Sequence, residues 1–257
     1  MPLKIVIPSH KRADKVLSKR LIINPIICVE EKQKDIYKSY NPDCEIVSHP
    51  NDVIGLPAKR NWMYKYFGDI FMIDDDVTEF HSVHLPDTNK SITDKKELYY
   101  IINKLYLVSK MLGIYVYGFT KNPRPEQYRV EKPYMLNRGI TGCAYGINEN
   151  SGLKWDESIP LKEDFYISLL CLYKHRKILV DNRFQFTPKD TFINQGGLSF
   201  IRNYENEKKS ILLIRKTFGD SVVLKKDNTN ARLKIKYNIQ HKYLILVYLD
   251  NICYIKL

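Results

Sequence analysis

Three consecutive carboxylates, Asp74-Asp75-Asp76, follow directly on the apolar run Ile70-Phe71-Met72-Ile73. Neighbouring carboxylates repel one another, which raises the pKa of at least one unless a cation offsets the charge. A divalent ion with oxygen ligands does this, and Mg²⁺ or Mn²⁺ bridging to phosphate is the usual chemistry of such a site. In extended geometry Asp74 and Asp76 share one side of the chain while Asp75 points elsewhere. The competing assignment is an exposed acidic turn leading into Val77-Thr78-Glu79-Phe80. Against it stands the apolar run, which fixes the carboxylates at the mouth of a buried strand.

Two further polar clusters, Pro8-Ser9-His10-Lys11-Arg12 and Glu30-Glu31, also follow short β-type runs. In open α/β sheets, ligands gather beyond the carboxyl ends of strands, so all three clusters fall where a site is expected. The elements that must position them are strands at Lys4-Ile7, Ile26-Val29, Glu45-Ser48 and Ile70-Ile73. Their alternation with helical patterns is the mark of βαβ units and a mostly parallel sheet flanked by helices. A helix across Gly55–Gly68 takes Pro57 in its first turn and Gly68 just past its end. A second spans Thr93 to Leu112, with Thr93 as N-cap and Gly113 as stop. A strand at Ile114-Phe119, a Pro- and Arg-rich loop from Lys121 to Lys132 and a strand around Thr141-Ile147 follow. The next helix begins after Pro160 with Glu163 and Asp164 in its first turn, and Ile178-Val180 forms a short strand. A helix near Tyr204-Phe218, a basic segment and a hairpin turning at Asp250-Asn251 complete the chain. The loop Asn194-Gln195-Gly196-Gly197 can bring backbone amides to a phosphate or be a plain turn.

The ordered set of motifs resembles the GT-A glycosyltransferases. In that family an opening strand with a Pro-Ser/Thr-x-x-Arg turn precedes a DxD motif, matched here by Ile5–Arg12 and Asp74-Asp75-Asp76. Gly55-Leu56-Pro57-Ala58-Lys59-Arg60-Asn61 resembles the family's helix start facing the nucleotide. The resemblance implies an α/β GT-A (Rossmann-like) fold over residues 1–200, with a nucleotide-sugar half (1–80) and an acceptor half (81–200), and a basic extension, 201–257, packed on the same unit. It implies a metal-dependent enzyme that takes a nucleotide sugar, with UDP as the nucleotide. Pro8, Ser9, Arg12, Glu30, Arg60, Asp74 and Asp75 then line the donor pocket. Asp76, with Asp74, binds Mn²⁺ or Mg²⁺. Glu163-Asp164 resembles the family's acidic pair beneath the acceptor, Asp164 being first choice and Glu163 second for the base that takes the acceptor's proton. A helix N-terminus favours the ionised form of that base. His241 resembles a histidine that completes the metal shell in some members. Each residue also has a plain role: Arg12 and Arg60 as surface cations, Glu30-Glu31 and Glu163-Asp164 as acids that favour a helix start.

With 257 residues and 44% hydrophobic content the chain can bury a substantial core. Its 41 Lys+Arg against 29 Asp+Glu give a formal net charge of +12, which suits a polyanionic partner such as nucleic acid or an anionic membrane surface. Residues 208–242 hold ten basic and two acidic side chains, so +8 of that charge is clustered there. Lys225, Lys226, Arg232, Lys234 and Lys236 can contact DNA phosphates, or form a solvated face. The five cysteines are scattered, without a CxxC pair, which points to reduced thiols in a cytoplasmic setting (the host's, for a viral protein) rather than a zinc or disulfide framework. No stretch is long and apolar enough for a membrane span, and the N-terminus lacks a secretory pattern. The basic tail and the Ile-Pro-Ser-His-Lys-Arg opening resemble the TET/JBP-associated branch that glycosylates hydroxymethylated pyrimidines in DNA, including phage DNA. Two alternatives stay open: transfer to a glycan or lipid-linked saccharide at a membrane, and a non-catalytic nucleic-acid-binding module on the same fold.

Overall fold

The computed structural model of the protein describes residues 3–84, 91–121, 125–140, 142–189, 201–219, 222–224 and 235–237. The chain divides into two compact units, Met1–Arg202 and Asn203–Leu257. The first is built on strands β1 (Lys4–Pro8), β2 (Ile26–Glu30), β3 (Glu45–His49), β4 (Ile70–Ile73), β5 (Val77–Ser82), β6 (Val116–Phe119), β7 (Tyr134–Met135), β8 (Ala144–Ile147), β9 (Leu179–Asp181) and β10 (Phe184–Pro188). Its helices are α1 (Lys34–Tyr40), α2 (Leu56–Phe67), α3 (Lys95–Met111) and α4 (Glu163–His175).

An eight-stranded sheet runs in the order β3-β2-β1-β4-β8-β6-β9-β7. Pairing is parallel from β3 through β4 and again between β6 and β9, so only β8 and β7 run against the rest. Consequently β1, β2, β4, β6 and β9 all end at one edge, the edge at which the three polar clusters emerge. β4 is buried at every residue, as expected of a central strand covered on both faces. Helix α2 packs on β1, α3 on β6 and α1 on β2 and β3. Strand β8 approaches its neighbours so closely that a Cβ at Gly146 would overlap the buried Tyr117 ring.

The four parallel strands, α2 and α4 match the sequence reading within a residue or so. The third helix differs at its start: Asp94, not Thr93, is the N-cap, its carboxylate accepting the Lys96 amide at 2.8 Å. Either residue is a good cap type, and Asp94 is the one left non-helical. Gly113 does follow the helix at φ 61°.

Strands β5 and β10 have no counterpart in the sequence reading. They form a small antiparallel sheet with Phe80 opposite Phe186. Phe80 and Phe186 pack with Phe71 of β4 and Phe119 of β6, ring centroids 4.4–6.1 Å apart. This aromatic cluster, bonded by dispersion and ring-edge contacts, ties the segment just after the aspartates to the central sheet. In the second unit, α5 (Tyr204–Phe218) agrees with the helix read from sequence, and β11 (Val222–Leu224) pairs with β12 (Ile235–Tyr237). Lys225, Lys226, Arg232, Lys234, His241, the 194–197 loop and the 250–251 turn lie outside the described residues; Lys236 falls on β12. Among the described residues no helix is long and apolar enough to cross a membrane.

Candidate active site

The aspartate triplet is held by its backbone. The Asp74 amide donates to Cys143 O at 2.8 Å, Asp75 O accepts from the Leu17 amide at 2.8 Å, and Asp76 O accepts from the Lys189 amide at 2.8 Å. Three neighbouring segments thus set the direction of three successive side chains.

Asp75 turns inward. Its carboxylate accepts Ser9 Oγ at 2.6 Å and Arg12 Nη1 at 2.9 Å, and Ser9 Oγ lies 2.7 Å from the Tyr37 hydroxyl. The same hydroxyl accepts the Arg12 amide at 3.0 Å. Burial pushes the Asp75 carboxyl up, and the Ser9 and Arg12 hydrogen bonds oppose that rise. Ser9, Arg12, Tyr37 and Asp75 therefore form one hydrogen-bonded polar unit at the β1 and β4 ends. The Ser9 hydroxyl and the Asp75 carboxylate are engaged within it and position the turn.

Residues 75–76 form a turn, so strict alternation ends at Asp74. Asp74 Oδ1 lies 3.1 Å from Arg60 Nη2, whereas Asp76 Oδ2 lies 3.8 Å from the same Arg12 Nη1 that binds Asp75. Burial raises Asp74 well above the usual aspartate value; Arg60 opposes the rise, and Asp76 and Glu163 add to it. Asp76 is pushed up to about 6 by burial and by the Asp75 charge, with Arg12, whose Nη1 is 3.8 Å away, pulling back. Burial is thus the main cause of both rises, and neighbouring carboxylates add to it.

Arg60, at 1% exposure, is the junction of the site. Helix α2 carries it to Tyr145 of β8 and the end of β4, where it bonds the Tyr145 hydroxyl, Asp74 Oδ1 at 3.1 Å and Gly142 O at 3.2 Å, with Glu163 Oε1 at 3.4 Å. Its guanidinium carbon also lies 4.9 Å from the Tyr145 ring centre. Arg60 is thus no surface cation. Burial disfavours its charge, but Tyr145, Glu163 and Asp74 more than compensate and hold it ionised.

Glu163 and Asp164, at the first two positions of α4, have different surroundings. Glu163 is buried, and burial pushes its carboxyl up despite Arg60. The helix-end stabilisation expected of an acid there is outweighed by desolvation. Asp164 retains 15% side-chain exposure, with Lys121 Nζ 3.9 Å from Oδ2. Ahead of the pair stands Lys162 at φ 64°, and Lys11 in the first cluster sits at φ 55°. Non-glycine residues in the left-handed region cost on the order of 1 kcal/mol, and both occur in turns that present site residues.

Glu30 ends β2 with its carboxylate on Lys32 Nζ at 2.6 Å and Gln33 Nε2 at 2.8 Å. Burial raises its pKa, but those two hydrogen bonds outweigh it and keep the carboxyl low and ionised. Pro8 is the last residue of β1. Lys59, which sequence reasoning passed over, is buried and donates to Ser9 O at 2.7 Å, with burial lowering its pKa. Tyr145 and Gly142 were also missed. Lys59 could have been suspected from its place beside Arg60 at the helix start; the other two carry no sequence signal.

Among the described residues no group of three or more His, Cys, Asp or Glu side chains is arranged to hold a metal ion by itself. Four cysteines, Cys28, Cys44, Cys143 and Cys171, are free thiols.

A comparison with protein families matches residues 3–197 to "TET-Associated Glycosyltransferase". The chain belongs to the TET-associated glycosyltransferase family. Its GT-A architecture is the α/β sheet described above, and the family match runs from β1 to the segment beyond β10. Solved structures that resemble this family member include S. aureus TarS residues 1–349, at 12% identity and TM-score 0.46, covering 84% of this chain and 66% of that one. The same TarS segment in complex with UDP gives 11% identity and TM-score 0.44, with the same coverage. CMP:2-keto-3-deoxy-manno-octonic acid synthetase complexed with CTP gives 10% and 0.38, covering 71% of this chain and 89% of that one. A search of curated proteins gives no match.

Proposed function

We propose that this glycosyltransferase moves a hexose or pentose from a UDP-linked donor to a hydroxymethylated pyrimidine in DNA, with Mn²⁺ or Mg²⁺ at Asp76 and Asp74. The observation that carries the reading is the pair of partly buried carboxylates, Asp74 and Asp76, at the carboxyl end of β4. A metal fits them: the donors are hard oxygens, and a bound cation would offset the burial and the carboxylate repulsion that raise both carboxyls. Mg²⁺-type ions commonly use one or two carboxylates and complete their shell with substrate phosphates and water, so a three-ligand protein cage is not required. Bound there, the ion would neutralise charge on the departing diphosphate.

The chain's own residues supply the rest. Arg60 holds the orientation of Asp74 and ties it to α4 through Glu163. Asp164 takes the proton of the acceptor hydroxyl as that oxygen bonds the anomeric carbon and the bond from that carbon to UDP breaks. Asp164 suits this role better than Glu163, whose carboxylate is buried against Arg60. The net charge of +12 supports a polyanionic acceptor.

The position of the base depends on Gly142. A Cβ there would lie 2.9 Å from Asp164 Oδ2, so Gly142→Ala must displace the carboxylate. A misplacement of about 1 Å can cost on the order of 100-fold in rate. Gly142→Ala is expected to lower kcat about 10- to 100-fold with donor KM little changed, as read by steady-state transfer kinetics.

The function itself is tested with purified protein, Mn²⁺, a panel of UDP-sugars and DNA containing hydroxymethylcytosine or hydroxymethyluracil, followed by mass analysis of released nucleosides. Nucleosides heavier by one sugar are expected. Transfer to none of these DNAs, with transfer to a lipid-linked or glycan acceptor instead, would overturn the DNA assignment.

A further inference from the structure

A cavity of about 590 Å³ is lined by Arg129, Lys132, Arg138, Tyr128, Thr120 and Asn182, with Glu126 the one acid among the described residues of its wall. Thr120 directly follows β6 and Asn182 directly follows β9. Both strands run in the sheet's common direction, so these two wall residues stand at the edge that carries Asp74 and Asp76. The next residue after Thr120 is Lys121, whose ammonium is 3.9 Å from the Asp164 carboxylate. One wall of the cavity is therefore a single residue removed from the partner of the group that accepts the proton.

The cations stand on a pinned segment. The Asn182 amide donates to Pro133 O at 2.8 Å and its side chain to Lys132 O at 2.9 Å, while β7 pairs with β9 just beyond. The Tyr128 amide closes a turn onto Pro125 O at 3.0 Å, and the Tyr128 ring lies 6.0 Å from His84. Three cations against one acid, plus an aromatic ring, in a cleft of ordinary ligand size is the chemistry that holds phosphates at one end and stacks a base at the other.

We infer that this cavity is the acceptor pocket and takes a single nucleotide unit of DNA, its flanking phosphates on Arg129, Lys132 and Arg138 and its base against Tyr128. This rests on the DNA-acceptor reading and adds to it a place and a geometry. A duplex would enter by turning one nucleotide out of the stack. The basic residues of the second unit are not needed to form this pocket.

The test compares the parent chain with the triple variant R129A/K132A/R138A, with Tyr128→Leu, and with K38A/K95A/K104A, which removes the same charge from exposed positions elsewhere on the surface. Affinity for hydroxymethylcytosine DNA is measured across salt concentrations, with UDP affinity as a check that each variant retains its donor site. The pocket variant is expected to bind DNA at least 10-fold more weakly, with its log-log salt slope shallower by roughly 2 to 3. Tyr128→Leu should keep the parent slope but lose about 10-fold in affinity for single-stranded acceptor. The surface control should stay close to the parent. Equal loss of DNA binding in the pocket variant and the surface control, or no loss in either, overturns the pocket. A parent chain that fails to bind DNA at any salt while binding anionic vesicles overturns the DNA reading itself.

Discussion

Asp76→Asn is expected to lower sugar transfer by about 1,000-fold or more while making the metal-free protein more stable at pH 7.5. The first effect follows from removing a charge that the proposed metal requires. The second follows from the direction of the Asp76 shift. Its pKa rises from 3.8 to about 6 on folding, so the folded state binds a proton more tightly than the unfolded chain. Stability is then fully favoured below about pH 4 and declines as pH climbs toward 6. Above that range the ionised carboxylate costs on the order of 1–3 kcal/mol. Asn cannot ionise, so the variant should gain roughly that amount at pH 7.5 and little at pH 4, read by denaturant titration at both values. A variant both inactive and stabilised is what a charged functional site predicts. If Asp76 were an ordinary surface acid of a turn, neither effect would appear.

The largest loss of stability should come from Arg60→Met. Methionine fills a similar volume but leaves Asp74 and Glu163 without their shared guanidinium, and Tyr145 and Gly142 O without its hydrogen bonds. Removing one member of a buried ion pair costs about 3–5 kcal/mol because a desolvated charge is left behind. The two carboxyls, already raised, would rise further. Hence the deficit should be larger at pH 8 than at pH 5, where protonation relieves it. Arg60→Lys keeps a charge but not the planar fork, and should fall between parent and Met in stability while still losing transfer. Equal stability of all three at pH 8 would contradict the role given to Arg60.

Much of this site was legible because β-strand periodicity and polar clusters at strand ends are local signals. Ile70–Ile73 followed by three aspartates gives the strand and puts the carboxylates at its end; the turn at 75–76 replaces the extended alternation expected there. Glu163 and Asp164 could be placed in a helix start for the same reason. What distinguished them could not be read: Glu163 is buried against Arg60 of α2, a contact between residues far apart in sequence. Arg60 shows the same limit, since a cation on a helix start looks solvated until the β4–β8 pair covers it. Ser9 and Asp75 do meet at neighbouring strand ends, but their mutual hydrogen bond and its extension to Tyr37 of α1 had no sequence signal. The β5–β10 sheet was missed because Val77–Ser82 lacks clean alternation; its burial comes from phenylalanines contributed by four separate strands. The left-handed backbone at Lys11 and Lys162 also had no sequence sign, because lysine is not the residue such a conformation favours.

In the proposed reaction Asp74 and Asp76 join a metal to the donor nucleotide. Titration calorimetry of UDP into the parent chain and into Asp76→Asn at pH 7.5, with and without Mn²⁺, measures this. Binding that requires Mn²⁺ in the parent and is lost in the variant is the predicted result. UDP binding of equal strength in all four titrations would contradict it.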